Sequence, residues 1–198
     1  MKGAKEIFAL IIIDMQNAFV FPEHPGSAAG ARAVVPRIQE MLHAFRSAGM
    51  PVFHIVREYR EDASDVEKFR VQKFLAGAVY AVPGTRGCEI VDELRPLSGE
   101  YRIVKKRFSA FMNTELDLVL RRLDVEGLVI CGTQYPNCIR TTVYDAVAYD
   151  YAVTVLTDAT FAESSEIAEA NIRDMRNVGV CCITVADFLK SLSRLPDS

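Results

Sequence analysis

Residues 128–158 read LVICGTQYPNCIRTTVYDAVAYDYAVTVLTD, and their pattern predicts a strand, a tight loop, a helix and a second strand. The apolar run 128–131 is long enough for a buried parallel strand, and a glycine ends it. Pro136 suits the first turn of a helix, where its missing N–H costs nothing. Apolar residues then recur at helical spacing before a second β-rich run at 152–156. Cys138 therefore lies where a strand has ended and a helix begins.

The position of Cys138 favours chemistry at its sulfur. At the start of a helix a thiolate faces unpaired backbone N–H groups and the positive end of the helix dipole, which favour the anion. The same N–H groups are suited to bind an oxyanion that forms beside a nucleophile. A free cysteine is also commonly a small buried hydrophobic residue, so position alone leaves both interpretations open.

Strands and helices alternate along the chain. This pattern predicts a three-layer, Rossmann-like α/β fold with a six-stranded, mostly parallel sheet flanked by helices, in a single domain over residues 1–198. The predicted strands are Phe8–Ile13, Pro51–Val56, Tyr101–Lys105, Val125–Cys131, Ala152–Leu156 and Val180–Val185. The predicted helices are Val34–Ala48, Glu89–Leu94, a helix to Leu123 capped by Thr114, Asn137–Tyr149, Ser165–Val178 and Ala186–Leu192. The polar segment 57–81 is predicted as a loop with helical pieces, a candidate lid.

The composition excludes several classes of protein. A formal net charge of −3 and the lack of a basic run argue against a nucleic-acid-binding protein. No apolar stretch is long enough to span a membrane, and Asp14 directly follows the first apolar run, which favours a β-strand over a signal peptide. Five cysteines are an odd count for a disulfide scaffold, which points to a reducing cytoplasm. The absence of a Cys-x-x-Cys pair and the scattered histidines argue against a zinc site.

Two further reactive side chains follow predicted strands. Asp14 ends the first strand, and Lys105 ends the third, beside Lys106. Since ligands bind at the carboxyl ends of parallel strands, Asp14, Lys105 and Cys138 are expected to meet at one edge of the sheet. Each also has an ordinary interpretation, as a turn carboxylate or a solvated charge pair, and spacing alone does not choose between the two lysines.

Three segments together resemble the isochorismatase-like cysteine hydrolases: IIIDMQNAF at 11–19, VKKRFSAF at 104–111 and CGTQYPNCIRTTVYDAVAYDYAVTVLTDAT at 131–160. The resemblance spans nearly the whole chain and implies a catalytic triad of Asp14, Lys105 and Cys138. Lys105 is chosen over Lys106 because it lies four residues before the serine of SAF. Adjacent strand residues point in opposite directions, so Lys106 is expected to face away.

The resemblance also implies a cis peptide bond between Thr133 and Gln134, with the N–H groups of Gln134 and Cys138 directed at an oxyanion. The metal-binding nicotinamidases of the family carry an aspartate and two histidines after the second strand. This sequence reads HIVREYRED there, so no metal and no cofactor are predicted. Siderophore-pathway isochorismatases typically lack the cysteine, so the presence of Cys138 favours acyl transfer.

The predicted function is hydrolysis of a C–N bond in a small amide or ureido substrate, through a thioester and with release of ammonia. Two alternatives stay open: a vinyl-ether hydrolase of the isochorismatase type, and a catalytically idle member used for binding or assembly. The substrate pocket is expected to include Phe19, Arg57, Phe111 and Tyr135, with Arg57 able to pair with a carboxylate. Core packing is an equally ordinary role for these aromatic residues. The resemblance further implies a homodimer or a larger homo-oligomer.

Overall fold

The computed structural model describes residues 7–28 and 30–192. Its centre is one sheet of six strands, in which every neighbouring pair is parallel. The strands are β1 (Phe8–Ile13), β2 (Val52–Arg57), β3 (Tyr101–Lys105), β4 (Gly127–Thr133), β5 (Ala152–Phe161) and β6 (Cys181–Ile183), in the spatial order β3-β2-β1-β4-β5-β6. The predicted α/β class is confirmed. The domain predicted over 1–198 includes residues 1–6, 29 and 193–198, which lie outside the described residues.

Helices connect the strands and cover both faces of the sheet. They are α1 (Asn17–Val20), α2 (Val35–Ser47), α3 (Val71–Leu75), α4 (Leu116–Arg122), α5 (Arg140–Ala148), α6 (Ser165–Asn177) and α7 (Val185–Leu192). Short 3-10 turns occupy Ala31–Val34, Arg86–Cys88 and Asp92–Leu94, and a π-helical turn occupies Tyr135–Ile139. In the described part of the chain no helix is both long and apolar enough to cross a membrane.

The side chains of β1 show why this strand is apolar along its whole length. Ile11 and Ile13 pack on one face of the sheet with residues of α4, α5 and α6. Leu10 and Ile12 pack on the other face with residues of α2 and α7. A strand covered on both faces needs apolar side chains at every position, which a half-exposed strand does not. The unbroken run in the sequence is therefore explained by burial on two sides.

Several element boundaries differ from the prediction. β5 runs five residues beyond its predicted end, and the predicted helix at 137–149 begins as the π-helical turn. The predicted helix at 89–94 is only a 3-10 turn. The N-cap of α4 is Glu115, one residue after the predicted Thr114. The hydroxyl of Thr114 accepts from the N–H of Leu116 at 3.3 Å and donates to the carbonyl of Ala110. Segment 57–81 is irregular, as predicted, apart from α3.

The strand order creates a switch point between β1 and β4. From β1 the chain builds outward to β2 and β3, and it then returns to the other side of β1 to form β4. The connections that leave the two central strands therefore diverge and open a crevice at their carboxyl ends, where ligands of such sheets bind.

Candidate active site

Four adjacent strands deliver the charged and nucleophilic side chains to this crevice. Asp14 directly follows β1 in a left-handed backbone conformation, with φ at 53°. Arg57 ends β2 and lies in register with Lys105 at the end of β3. Cys138 belongs to the π-helical turn after β4. The side chains come from distant parts of the sequence because parallel strands end at one edge.

Lys105 joins the other two members of the predicted triad. Its ammonium donates to Oδ2 of Asp14 at 2.8 Å and to Sγ of Cys138 at 3.4 Å. All three residues are buried, and Lys105 is entirely shielded from solvent. Oδ1 of Asp14 is also buried and has no hydrogen-bond partner among the described residues, so it is available as an acceptor. The structure thus brings together the carboxylate, the ammonium and the sulfur.

Lys106 points away from this group. Its ammonium donates to the carbonyl oxygen of Glu58 at 2.7 Å and pairs with Asp65 at 2.9 Å. The alternation of side chains along an extended strand accounts for the difference between the two lysines. The choice of Lys105 from the sequence agrees with the geometry.

Arg57 is a further contact of the nucleophile. One of its terminal nitrogens, Nη2, donates to Sγ of Cys138 at 3.5 Å, while Nη1 is bound by the carboxylate of Glu67 and by the hydroxyl of Tyr59. Arg57 is 1% exposed. The sequence analysis places Arg57 in the pocket wall as a partner for a substrate carboxylate. In the structure its charge is already paired with Glu67. Arg57 is therefore better placed to act on the sulfur of Cys138 than to bind a substrate carboxylate.

The surroundings of Cys138 have opposing effects on its thiol. Burial raises the pKa of Cys138, and the negative charge of Asp14 raises it further, whereas Lys105 and Arg57 lower it. The net direction is upward, so at neutral pH the resting side chain is the thiol. The helix-start argument, taken alone, predicts a stabilised thiolate. The structure corrects this because full burial and the adjacent carboxylate outweigh the two cations.

Burial alone would lower the pKa of Arg57. Electrostatic interactions with Asp14, Cys138, Tyr59 and Glu67, in that order of size, outweigh this effect and raise its pKa. The guanidinium is therefore a permanent charge beside the sulfur.

The peptide bond between Thr133 and Gln134 is cis, as the resemblance implies. It follows directly from the end of β4, where Gly132 lies against the backbone of β1. Thr133, Gln134 and Cys138 line one small cleft together with Asp14. The segment assigned to oxyanion binding therefore borders the sulfur.

This cleft has a volume of about 50 Å³. It is bordered by residues of the β1 and β4 connections and of segment 57–81: Asp14, Phe19, Gly26, Ala28, Arg57, Arg70, Thr133, Gln134, Asn137 and Cys138. Phe19 and Arg57 thus lie where the sequence analysis expects pocket residues. Arg70 and Asn137 were not singled out from the sequence.

Two expected pocket residues lie elsewhere. Phe111 stacks on Tyr151, with ring centroids 6.0 Å apart, and also contacts Tyr149. Tyr135 is completely buried in the core on the same face of the sheet. Neither ring borders the cleft, and the expectation of pocket walls at Phe111 and Tyr135 is wrong. Packing in the core on this face of the sheet stabilises the fold, because it removes the large apolar surfaces of both rings from water.

Across residues 7–28 and 30–192, no group of three or more histidine, cysteine or acidic side chains is arranged to bind an ion. The independence from metals and cofactors stays a prediction.

Comparisons with known proteins cover nearly the whole chain. A family model described as the isochorismatase domain matches residues 8–187. A protein of Arabidopsis thaliana named as a probable inactive nicotinamidase is 44% identical over 188 residues, which are 93% of this chain and 96% of that protein. A ureidoacrylate amidohydrolase RutB of Azorhizobium caulinodans is 28% identical over 98% of this chain and 93% of its own length. The crystal structure of an isochorismatase family protein from Desulfovibrio vulgaris subsp. vulgaris str. Hildenborough superposes with a TM-score of 0.92 at 49% identity, covering 96% of this chain and 100% of that one.

Proposed function

Because this chain belongs to the isochorismatase family, we propose that it is a cysteine-dependent hydrolase that cleaves a C–N bond of a small amide or ureido compound. The observation that carries the proposal is the position of the Lys105 ammonium, within 2.8 Å of Asp14 and 3.4 Å of the Cys138 sulfur. A carboxylate and a thiol that share the same cation beside a cleft are the parts needed for nucleophilic acyl transfer.

In the first step Asp14 takes the proton of the Cys138 thiol as the sulfur attacks the substrate carbonyl. The free oxygen of Asp14, Oδ1, is available to receive this proton. Lys105 holds the other oxygen of Asp14 in place, and its positive charge, with that of Arg57, stabilises the developing thiolate.

In the second step the tetrahedral intermediate collapses. Its oxyanion is bound by the backbone N–H groups of Gln134 and Cys138 at the edge of the cleft. Asp14 returns the proton to the leaving nitrogen, ammonia departs, and the acyl group remains on the sulfur as a thioester. Asp14 then takes a proton from water as the water oxygen attacks the thioester. When the carbon–sulfur bond breaks, Asp14 returns this proton to the sulfur of Cys138, and the acid product leaves.

The comparison with the ureidoacrylate amidohydrolase supports a substrate that carries a ureido or amide group. The substitution of alanine for Cys138 is expected to abolish ammonia release from a panel of small primary amides and ureas. Cys181→Ala is the matched control, because it removes an exposed thiol far from the triad in sequence. Ammonia release that persists in Cys138→Ala would contradict the mechanism.

One observation favours a second candidate, a catalytically idle protein that only binds its ligand. The Arabidopsis relative, at 44% identity, is named as probably inactive. The intact contacts among Asp14, Lys105 and Cys138 favour an active enzyme. The idle alternative is supported if the wild type releases no ammonia from any amide or urea of the panel. Release of pyruvate from a vinyl ether would instead support the isochorismatase-type reaction.

A further inference from the structure

Arg70 stands at the boundary between two cavities. The inner one is the cleft beside Cys138, and the outer one has a volume of about 240 Å³. Gly26 and Arg70 border both, so any substrate that reaches the sulfur from the outer cavity passes the guanidinium of Arg70. The inner cleft is too small for a whole ureido compound, and the remainder of a substrate would occupy the outer cavity.

The guanidinium of Arg70 is fixed in place but incompletely bonded. It lies over the rings of Phe69 and Phe108, with its central carbon 4.9 and 5.5 Å from the two centroids. Its Nη1 donates to the hydroxyl of Tyr80. Its Nε is buried and has no hydrogen-bond partner among the described residues. A buried donor without an acceptor is unfavourable, so a ligand group that came within hydrogen-bond distance of this nitrogen would gain affinity.

The nearest carboxylate does not supply that acceptor. Oε2 of Glu67 lies 3.8 Å from Nε of Arg70, beyond hydrogen-bond distance. Glu67 already accepts hydrogen bonds from Nη1 of Arg57 and from the hydroxyl of Tyr59. Burial lowers the pKa of Arg70 but nearby groups, Tyr80 and Tyr59 first, raise it overall, so the guanidinium keeps its charge. One carboxylate thus lies near two arginines, and its hydrogen bonds go to Arg57 and Tyr59 rather than to Arg70.

The outer cavity is also positively charged. Arg70 and Lys73 border it, whereas no carboxylate does. Its other walls are mainly apolar or aromatic, contributed by Pro25, Phe69, Phe74, Ala78 and Tyr80. Such a cavity favours a flat anionic group over a neutral or cationic one, because the two cations face no compensating side chain within it.

We propose that Arg70 binds a carboxylate of the substrate, so that the preferred substrates are ureido or amide compounds that also carry an acid group. The proposal rests on the function proposed above and names the substrate class of that site. With the scissile carbonyl at Cys138, the acid group would lie at the boundary of the two cavities, where the planar guanidinium can make paired hydrogen bonds.

Binding to a variant that cannot turn over tests this directly. In Cys138→Ala protein, titration calorimetry compares 2-ureidobenzoate and 3-ureidopropionate with their neutral methyl esters. At least one acid is expected to bind about 10- to 100-fold more tightly than its ester, the effect of a charge-assisted hydrogen bond in a shielded site. Adding Arg70→Gln is expected to remove that preference, and adding Arg70→Lys to restore part of it.

Arg60→Gln, added to the same background, is the matched control. Arg60 lies in the same segment and is exposed, and it borders neither cavity. Its substitution is expected to leave the preference for the acid unchanged. The melting temperature of each variant shows whether the segment remains folded.

Three outcomes would overturn the role of Arg70: no acid binds, acid and ester bind equally, or the preference survives Arg70→Gln. The proposed function is judged separately, by ammonia release from wild-type protein. Release from neutral amides without any preference for acids would keep the hydrolase and remove the anion site. Acid binding through Arg70 without any ammonia release would keep the anion site and contradict the hydrolase.

Discussion

Gly132 lies directly against the backbone of Ile13 in the neighbouring central strand, and we expect Gly132→Ala to damage stability and activity together. The residue has φ at +115°, which side chains rarely adopt. A Cβ built there would lie 2.8 Å from the nitrogen of Ile13 and 3.0 Å from its carbonyl carbon, and closer still to its carbonyl oxygen. Unlike the end of a flexible side chain, these backbone atoms cannot move without moving the strand.

The magnitude follows from two contributions. Ordinary contact begins at about 3.4 Å, whereas the built Cβ lies 2.2 Å from the carbonyl oxygen of Ile13, so the two backbones must separate by about 1.2 Å. Overpacking of this kind costs about 1–3 kcal/mol, and the unfavourable φ costs about 1–3 kcal/mol more. Since Asp14 follows Ile13 and Thr133 follows Gly132, the shift separates the carboxylate from the oxyanion segment. A misplacement near 1 Å lowers the rate of catalysis about 100-fold, so we expect kcat/KM of Gly132→Ala to fall by about 10- to 100-fold.

Gly99→Ala is the matched control. Gly99 has φ at +92° but nothing within 4 Å of a built Cβ, so its substitution carries the conformational strain without the clash. Urea unfolding followed by far-ultraviolet circular dichroism gives both free energies of unfolding, and ammonia release gives kcat/KM. We expect Gly132→Ala to be less stable than Gly99→Ala by about 1–3 kcal/mol. Equal stability of the two variants, with full activity in both, would refute the reasoning.

Three further results are expected. Burial and then the Asp14 carboxylate raise the pKa of Cys138, so Asp14→Asn should lower that pKa and speed alkylation by iodoacetamide at pH 7 even though hydrolysis is lost; slower alkylation would contradict the assignment. Lys105→Met removes a cation that lowers the pKa of Cys138, so its alkylation should be slower than in the wild type and its pH profile shifted upward. Burial would raise the pKa of Glu100, but hydrogen bonds, chiefly from Arg46, lower it from 4.5 to about 2. Its stabilisation is therefore present above pH 4.5 and lost as the pH falls towards 2. The stability gap between wild type and Glu100→Gln should narrow over that range by about 1–2 kcal/mol, less than the full shift would give because solvent screens this partly exposed carboxylate. A constant gap would exclude this origin.

The proximity of Asp14, Lys105 and Cys138 could be predicted from the sequence because it follows from the course of the backbone. Asp14 and Lys105 directly follow or end strands that the apolar runs mark clearly, and Cys138 follows a third. Once the strands are parallel, all three residues must reach one edge of the sheet. The resemblance then selects Lys105 from the adjacent pair, and strand alternation explains why its neighbour faces elsewhere.

Glu67 and Arg70 could not be predicted in the same way. They belong to a segment without helical or strand periodicity, which is held by side-chain contacts around Tyr59, Phe74 and Tyr80. Those contacts depend on how the segment folds back on itself, which no local pattern in the sequence encodes. The positions of Phe111 and Tyr135 could not be predicted for a related reason. An aromatic ring near the end of a strand is equally compatible with the cleft and with the core, and in the structure both rings are packed in the core.

The buried charges explain why proton transfer within the site is favoured over loss of a proton to solvent. The two cations that contact the sulfur are each paired with a carboxylate, Lys105 with Asp14 and Arg57 with Glu67, so their charges are compensated while Cys138 is a thiol. Loss of the thiol proton to water would leave an uncompensated buried charge, in keeping with the raised pKa of Cys138. Transfer of the same proton to Asp14 leaves the total unchanged and places the thiolate 3.4 Å from Lys105 and 3.5 Å from Arg57. The high pKa of the resting thiol is therefore compatible with a reactive sulfur, because the thiolate forms only together with a protonated Asp14, the acid that the leaving nitrogen requires.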